Sequence, residues 1–347
     1  MKKTITSIDM GKYKKIAVIY GSDSSEWEVS CRSGEFVASR IDDNQYDVYE
    51  IFARFGKWSL VACKKQNAMR VTFPEEARPE IDKSDFSVAV LGEKVKFDFA
   101  YIVQHGIPGE NGQLQGYLDM LHVPYSSCDF YVSTIAFDKF ACKCYIKGRD
   151  AVKCAPDAFI RQGEDVSAFV DKVSNTLKFP VFVKPTQGGS SFGVTRVTKK
   201  EDLAEAIKYA YAECSTVLVE QGVSGRELTC GVYFDGKGPK ALPIIEIVTE
   251  NEYFDYDAKY NGHSQEVCPA QVPDEVRDLV QKTTCELYSS LGCKGVVRMD
   301  FIWCEDGLYF LEVNTIPGMT SASLIPKMVK TAGLDITDFL TTVIENS

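Results

Sequence analysis

Near the carboxyl end of the chain, Asp300, Glu312 and Asn314 are spaced so that one hairpin could gather all three side chains. Side chains alternate along a strand, so Val296, Arg298, Asp300 and Ile302 share one face, and Glu312 and Asn314 share a face of the next strand. A three-residue loop, Glu305-Asp306-Gly307, with its glycine in the left-handed position, pairs Cys304 with Leu308 and sets Asp300 opposite Glu312. Flanking Val297, Phe301, Trp303, Phe310 and Leu311 mark a core hairpin, where facing like charges need something positive between them. Two carboxylates and an amide oxygen form a hard donor set suited to magnesium, and Arg298 on the same face could stabilise developing negative charge. The alternative is a two-residue Asp306-Gly307 turn, which sends Asp300 and Glu312 to opposite faces.

A second candidate is Lys184-Pro185-Thr186-Gln187-Gly188-Gly189-Ser190-Ser191-Phe192-Gly193. Backbone N–H groups of such a loop could wrap phosphate oxygens while Lys184 adds a point charge. The lysine precedes the glycines, so this is neither a Walker A loop nor a dinucleotide fingerprint. A glycine-rich β-hairpin turn is the alternative. Glu220 ends an apolar strand and Glu227 begins the next, so both could border a nucleotide or be solvated strand ends. His105, opening the run His105-Gly106-Ile107-Pro108-Gly109-Glu110-Asn111-Gly112, sits where a strand ends. Open α/β sheets bind ligands there, although a hydrogen-bonded structural histidine is the alternative. Residues 249–264 form a long polar and aromatic loop, either a lid or a solvated surface loop.

These residues need elements to position them. The apolar run 16–20 ends at Gly21 and reads as a buried strand, followed by a helix for which Ser25 and Glu28 suggest a capping box. Residues 46–52 and 99–103 are further strands of a parallel βαβ layer, and 54–96 an elaboration with strand-like pieces at 59–62 and 86–90. The pattern resets near residues 124–129. Strands at 181–184 and 194–197 precede a helix whose apolar Leu203, Ala206, Ile207 and Ala210 follow helical spacing, with Thr198 and Glu201 as its capping box. Gln221-Gly222 breaks the next strand, 217–220, as a hinge would. Strands at 228–234 and 242–248 and a helix over 274–291, stopped by Gly292, complete the frame. The expected division is an amino-terminal domain at 1–126, a central domain at 127–220 and a carboxyl-terminal domain at 221–347.

Composition bounds the function. The 347 residues suit two or three domains, and a net charge of −10 disfavours nucleic acid or an anionic bilayer as partner. Any phosphate site must therefore be made locally. Twelve cysteines are spread singly without a Cys-x-x-Cys pair, and the nearest two, Cys142 and Cys144, lack a second knuckle, so reduced thiols and a cytoplasmic location are expected. No apolar run approaches the length of a signal or membrane segment.

Taken in order, seven stretches resemble the ATP-grasp superfamily, and within it the D-alanine:D-alanine ligase family. They are residues 21–30, the His105 run with Gln115-Gly116, Asp138-Lys139, Lys184-Pro185 with Gly189-Ser190-Ser191, Tyr256-Asp257-Ala258-Lys259-Tyr260, Arg298-Met299-Asp300, and residues 312–321. The resemblance implies an α/β and α+β protein with an open parallel amino-terminal domain and two ATP-clasping domains. It implies ATP-dependent joining of two D-alanines through an acylphosphate, a step in peptidoglycan precursor synthesis. Lys139, Lys184 and Lys259 would hold phosphates, while Glu220, Gln221, Val223 and Glu227 would line the adenosine site. Asp300, Glu312 and Asn314 would carry two magnesium ions, with manganese as a substitute. Arg298 and the Gly318 N–H would form the oxyanion site. Glu26 would bind the first ammonium and close a lid with Ser190 and Tyr260. His105 would neighbour the first substrate, and Ser323 and Leu324 the second carboxylate. A homodimer is implied as well. Three positions depart from the family pattern, at Ser22, Asn111 and Gly188. The rival readings are a ligase for another substrate, an ATP-binding regulator, and a kinase that stops at the acylphosphate.

Overall fold

The computed structural model describes residues 13–149, 152–189, 192–249 and 264–347. β1 (Lys15–Gly21) is buried almost throughout, as its unbroken apolar run requires, and α1 (Trp27–Arg40) follows it. The expected Ser25–Glu28 capping box does not form. Glu26 holds the cap position, its side chain does not cap the helix, and its N–H donates to Ser24 Oγ at 3.2 Å. β2 (Asp47–Arg54) runs parallel to β1. The expected elaboration is β3 (Lys57–Lys64), antiparallel to β2, then β4 (Val71–Thr72) and a separate sheet of β5 (Ile81–Asp82), β6 (Ser87–Val90) and β7 (Glu93–Lys96). β8 (Phe99–Ile102) closes the other side of β1 in parallel, giving the order β4-β3-β2-β1-β8.

Three helices come next: α2 (Gln113–Met120), α3 (Phe130–Phe137) and α4 (Lys139–Ile146). Asp129 and Asp138 cap the last two, accepting from the N–H groups of Val132 and Ala141 at 3.0 and 2.9 Å. Each such cap contributes about 1 kcal/mol and fixes where its helix starts. Asp138 thereby sets the position of Lys139. Cys128, Val132, Ala136, Cys142 and Ile146 pack with Leu228, Met299, Phe301 and Phe310 in one core, and β9 (Lys153–Cys154) adds to the edge of the same sheet. The apolar faces of α3 and α4 thus pack with the carboxyl-terminal core, although the expected boundary at residue 127 had placed these helices in the central domain; the polar and aromatic side of α4, through Phe140 and Lys143, still meets the central sheet.

The central sheet comprises β10 (Asp157–Arg161), β11 (Val181–Pro185), β12 (Thr195–Val197) and β13 (Thr216–Gln221), all antiparallel in the order β10-β13-β11-β12. α5 (Val166–Thr176) and α6 (Leu203–Ala210) cover it. Leu203, Ala206, Ile207 and Ala210 are all buried, as their spacing predicts. The expected Thr198–Glu201 capping box is replaced by a 3-10 turn over Lys200–Asp202 that runs into α6 without a side-chain cap.

The largest sheet holds β9, β14 (Arg226–Phe234), β15 (Pro239–Ala241), β16 (Ile245–Thr249), β17 (Ser264–Val267), β18 (Val296–Cys304) and β19 (Gly307–Asn314). A helix, Asp274–Leu291, packs on it and ends at Gly292, whose φ of 77° would strain any side-chain-bearing residue. Two final helices, Leu324–Thr331 and Ile336–Glu345, bring Ile325, Met328, Phe339 and Leu340 against Val18, Val37, Tyr46 and Phe99. The first and last bodies therefore share one apolar core, which holds the strand ends of one beside the hairpin of the other.

Candidate active site

The β18–β19 hairpin reaches the expected pairing by an unexpected route. Cys304 pairs with Gly307, so the loop is the two residues Glu305-Asp306 and not the three-residue loop of the sequence reading. Trp303, Ile302 and Phe301 then face Leu308, Tyr309 and Phe310. At Leu311 the register shifts by one, and Asp300 faces Glu312, Met299 faces Val313 and Arg298 faces Asn314. Without this bulge, Glu312 would lie opposite Met299 and point into the buried face with Phe301 and Phe310. One extra residue turns the acid to the cleft.

Around Asp300 the contacts are dense. Arg298 donates through Nε to Oδ1 at 2.9 Å and through Nη2 to Oδ2 at 2.8 Å. Thr229 Oγ1 donates to Oδ1 at 2.5 Å and Asn314 Nδ2 to Oδ2 at 3.2 Å. Lys139 Nζ lies 3.5 Å from Glu312 Oε2 and donates to Gly188 O at 2.9 Å, which ties α4 to the glycine loop. The positive groups that facing acids require are thus Arg298 and Lys139. Burial works against the Arg298 charge, but Asp300, with Glu312 and Glu110 nearby, outweighs it and holds the guanidinium charged. Among the described residues no cluster of three His, Cys, Asp or Glu side chains forms a metal site. The grouping here is two carboxylates and an amide, a donor set whose hard oxygens fit magnesium.

On the opposite wall, Lys184 and Glu220 form an ion pair across β11 and β13. Glu220 also meets Lys143, a buried lysine that the sequence reading did not single out. Lys143 Nζ reaches Asp157 Oδ2 at 2.7 Å and Ala155 O at 2.9 Å. Its only sequence signal is its place four residues after Lys139, one turn along the same helix. Burial alone would raise the Glu220 carboxyl, but Lys184 and Lys143 together hold it below the usual carboxylate range. Gln221 accepts through its side-chain oxygen from the Lys178 N–H at 3.0 Å, and it lines the cleft with Val223 and Glu227. Phe182 and Arg196 join them there.

Between the walls lies a cleft of about 1110 Å³ that takes in most of the expected residues, Glu26, His105, Lys139, Gly318, Ser323 and Leu324 included. His105 is buried and bonded at both ring nitrogens, with Nδ1 3.0 Å from Ile316 O and Nε2 3.0 Å from Ser33 Oγ. The carbonyl can only accept, so the proton is assigned to Nδ1 and Ser33 donates to Nε2. Burial keeps this imidazole below its usual range. Ser33 Oγ in turn accepts from the Met319 N–H at 3.3 Å, so the pair ties α1 to the loop that carries Gly318. Ser323 Oγ accepts from the Thr320 N–H at 3.0 Å. Gly189 approaches Glu26 so closely that a Cβ there would lie 2.6 Å from its carboxylate. Glu110, not among the expected site residues, also lines the cleft. Its carboxyl accepts from the Gly106 N–H at 2.8 Å and is pushed up to about 8, first by burial and then by Glu26. Ser190, Lys259 and Tyr260 lie outside the described residues.

Two sheets closing on one cleft, with Lys184 on one wall and the acid–amide set on the other, define an ATP-grasp enzyme. Residues 15–128 match the family model described as "D-ala D-ala ligase N-terminus" and residues 153–345 the one described as "D-ala D-ala ligase C-terminus". The chain belongs to the D-alanine:D-alanine ligase family. It is 44% identical to the D-alanine--D-alanine ligases of Phocaeicola vulgatus and of Bacteroides thetaiotaomicron, each over 96% of this chain and 99% of the relative. Similar solved structures include the VanG D-Ala:D-Ser ligase from Enterococcus faecalis (TM-score 0.82, 29% identity, 96% and 99% of the two chains). The D-alanine--D-alanine ligase from Bacillus anthracis complexed with ATP is another (TM-score 0.73, 29% identity, 96% and 97%).

Proposed function

We propose that this chain joins two D-alanines into D-alanyl-D-alanine at the expense of ATP, supplying a peptidoglycan precursor and releasing ADP and phosphate. The observation that carries the reading is the Arg298–Asp300–Glu312–Asn314 constellation on one face of a bulged hairpin. A protein that only bound nucleotide would not need it. The first carboxylate attacks the γ-phosphate to give an acylphosphate, and the second amine displaces phosphate through a tetrahedral intermediate. One hard condensation becomes two accessible steps.

In this reading Lys139, Lys184 and Lys259 hold phosphates. Backbone groups of Gln221 and Val223, with Glu220, border the adenine, and Glu227 takes the ribose. Asp300, Glu312 and Asn314 hold two magnesium ions, whose charge offsets that of the transferring phosphoryl group when bound. Glu26 orients the first ammonium beside His105, while Ser323 and Leu324 border the second carboxylate. Arg298 and the Gly318 N–H meet the tetrahedral oxyanion. The Glu26–Ser190–Tyr260 triad excludes water, which would otherwise hydrolyse the acylphosphate.

We also place the enzyme in the cytoplasm as a homodimer. All twelve cysteines are free thiols, which suits a reducing compartment, and among the described residues no helix is long and apolar enough to cross a membrane. Incubation with magnesium, ATP and single D- or L-amino acids, D-serine included, tests the function. D-alanine-dependent phosphate release with a D-alanyl-D-alanine product is expected; phosphate release without dipeptide would overturn it. Light scattering reads the dimer.

A further inference from the structure

Behind the cleft wall, against Glu220, lies a buried ammonium with no place in the roles given so far. Lys143 is 1% exposed, on a helix whose previous turn carries Lys139, and its three partners are Glu220, Asp157 and Ala155 O. Burying an ammonium costs several kcal/mol unless it is paired and hydrogen-bonded, and here both conditions are met. Glu220, 6% exposed, is held by two cations at once, Lys143 on one oxygen and Lys184 on the other. Only Lys184 stands at the mouth of the glycine loop, on the strand that ends at Pro185.

We infer that Lys143 is a positioning residue for the nucleotide: it holds the Glu220 carboxylate in place while Lys184 leaves that carboxylate for a phosphate. With two cations on Glu220, a phosphate can take one without stranding a buried anion. With Lys143 neutralised, Lys184 is the last counter-ion, and a phosphate must compete with Glu220 for it. Truncating one member of a buried charge pair leaves the other unpaired, and here that penalty falls on nucleotide binding. Asp157 and the Ala155 carbonyl fix the ammonium from the far side, so Lys143 cannot follow Lys184 into the cleft.

The inference rests on the proposed role of Lys184, and calorimetric titration of the full chain with Mg-ADP tests it without any dipeptide being formed. Lys143→Met is expected to weaken Mg-ADP binding about tenfold or more while the KM for D-alanine stays within twofold. In a Glu220→Gln background, where the carboxylate that Lys184 would strand is gone, Lys143→Met is expected to add little further loss of Mg-ADP binding. Lys143→Gln keeps hydrogen-bonding capacity without the charge and repeats the measurement if the methionine variant does not fold. An equal rise in the KM for D-alanine, or full loss on top of Glu220→Gln, would overturn the inference. So would failure of both neutral variants to fold, which would make Lys143 a folding determinant. A wild-type chain that bound Mg-ADP yet made no dipeptide would sink the ligase reading and leave Lys143 to be judged on its own.

Discussion

Asp300 and Glu312 face each other across the β18–β19 ladder, although the loop that joins their strands is one residue shorter than a regular ladder would need to pair them. Leu311 makes up the difference. The two acids are kept together by Arg298, Thr229 and Asn314 on one side and Lys139 on the other.

Glu312→Gln is expected to lower turnover by at least ~10²-fold, because a metal held by this acid contributes several kcal/mol of charge stabilisation in the transition state. Steady-state phosphate release is the measurement. Near-normal turnover would remove Glu312 from the metal set.

Stripping divalent ions with a chelator should abolish ADP formation, and magnesium or manganese should restore it, because the donors are hard oxygens. Activity that survives chelation would mean that Asp300, Glu312 and Asn314 do other work.

Arg298→Ala is expected to reduce kcat by about 10²–10³-fold, the typical loss for one oxyanion donor. It also leaves Asp300 without its bidentate partner. Thermal unfolding in parallel separates the two effects, since a purely structural role would lower Tm and spare the kcat of the folded fraction.

Glu110 supplies a pH prediction. Its folded-state carboxyl is pushed from 4.5 to about 8, so between those values the folded chain binds more protons than the unfolded one. Stability of the ligand-free protein therefore falls as pH rises through that window. Glu110→Gln should flatten this slope, and at pH 8 should stabilise the protein by roughly 2 kcal/mol once solvent screening is allowed for. Tm measured from pH 5 to 8.5 checks it, and parallel curves for the two proteins would refute it.

Gly189→Ala places a methyl group 2.6 Å from a Glu26 carboxylate oxygen, the far end of a flexible side chain. The side chain can swing away, so Tm should hardly change. Having moved, the carboxylate no longer meets the first ammonium, and the KM of the first D-alanine site should rise severalfold. An unchanged KM would separate Glu26 from substrate binding.

The framework is legible in the sequence because burial imposes periods. Leu203, Ala206, Ile207 and Ala210 declared a helix face, and Gly292 the end of the long helix. The pairing of Asp300 with Glu312 was also anticipated, but by way of a wrong loop. A bulge leaves no mark in composition, only a parity change between Phe310 and Val313, which both point to the core although three residues apart. Lys143 was missed for a related reason, because a lysine among apolar helix positions reads as exposed until a partner from another strand is known. Nor did spacing show that α3 and α4 pack on the third sheet, a long-range choice made by Cys128, Val132 and Ile146.

The kink at Leu311 divides the hairpin into two stretches under separate control. Toward the tip, Trp303, Leu308 and Phe310 answer to the hydrophobic interior; toward the root, Arg298, Asp300, Glu312 and Asn314 answer to the chemistry. Lengthening the tip by a residue or two should thus be absorbed harmlessly, whereas deleting Leu311 alone would rotate an acid into oil. Drift in this family would then be tolerated at the solvent end of the ribbon and forbidden a few ångströms below it.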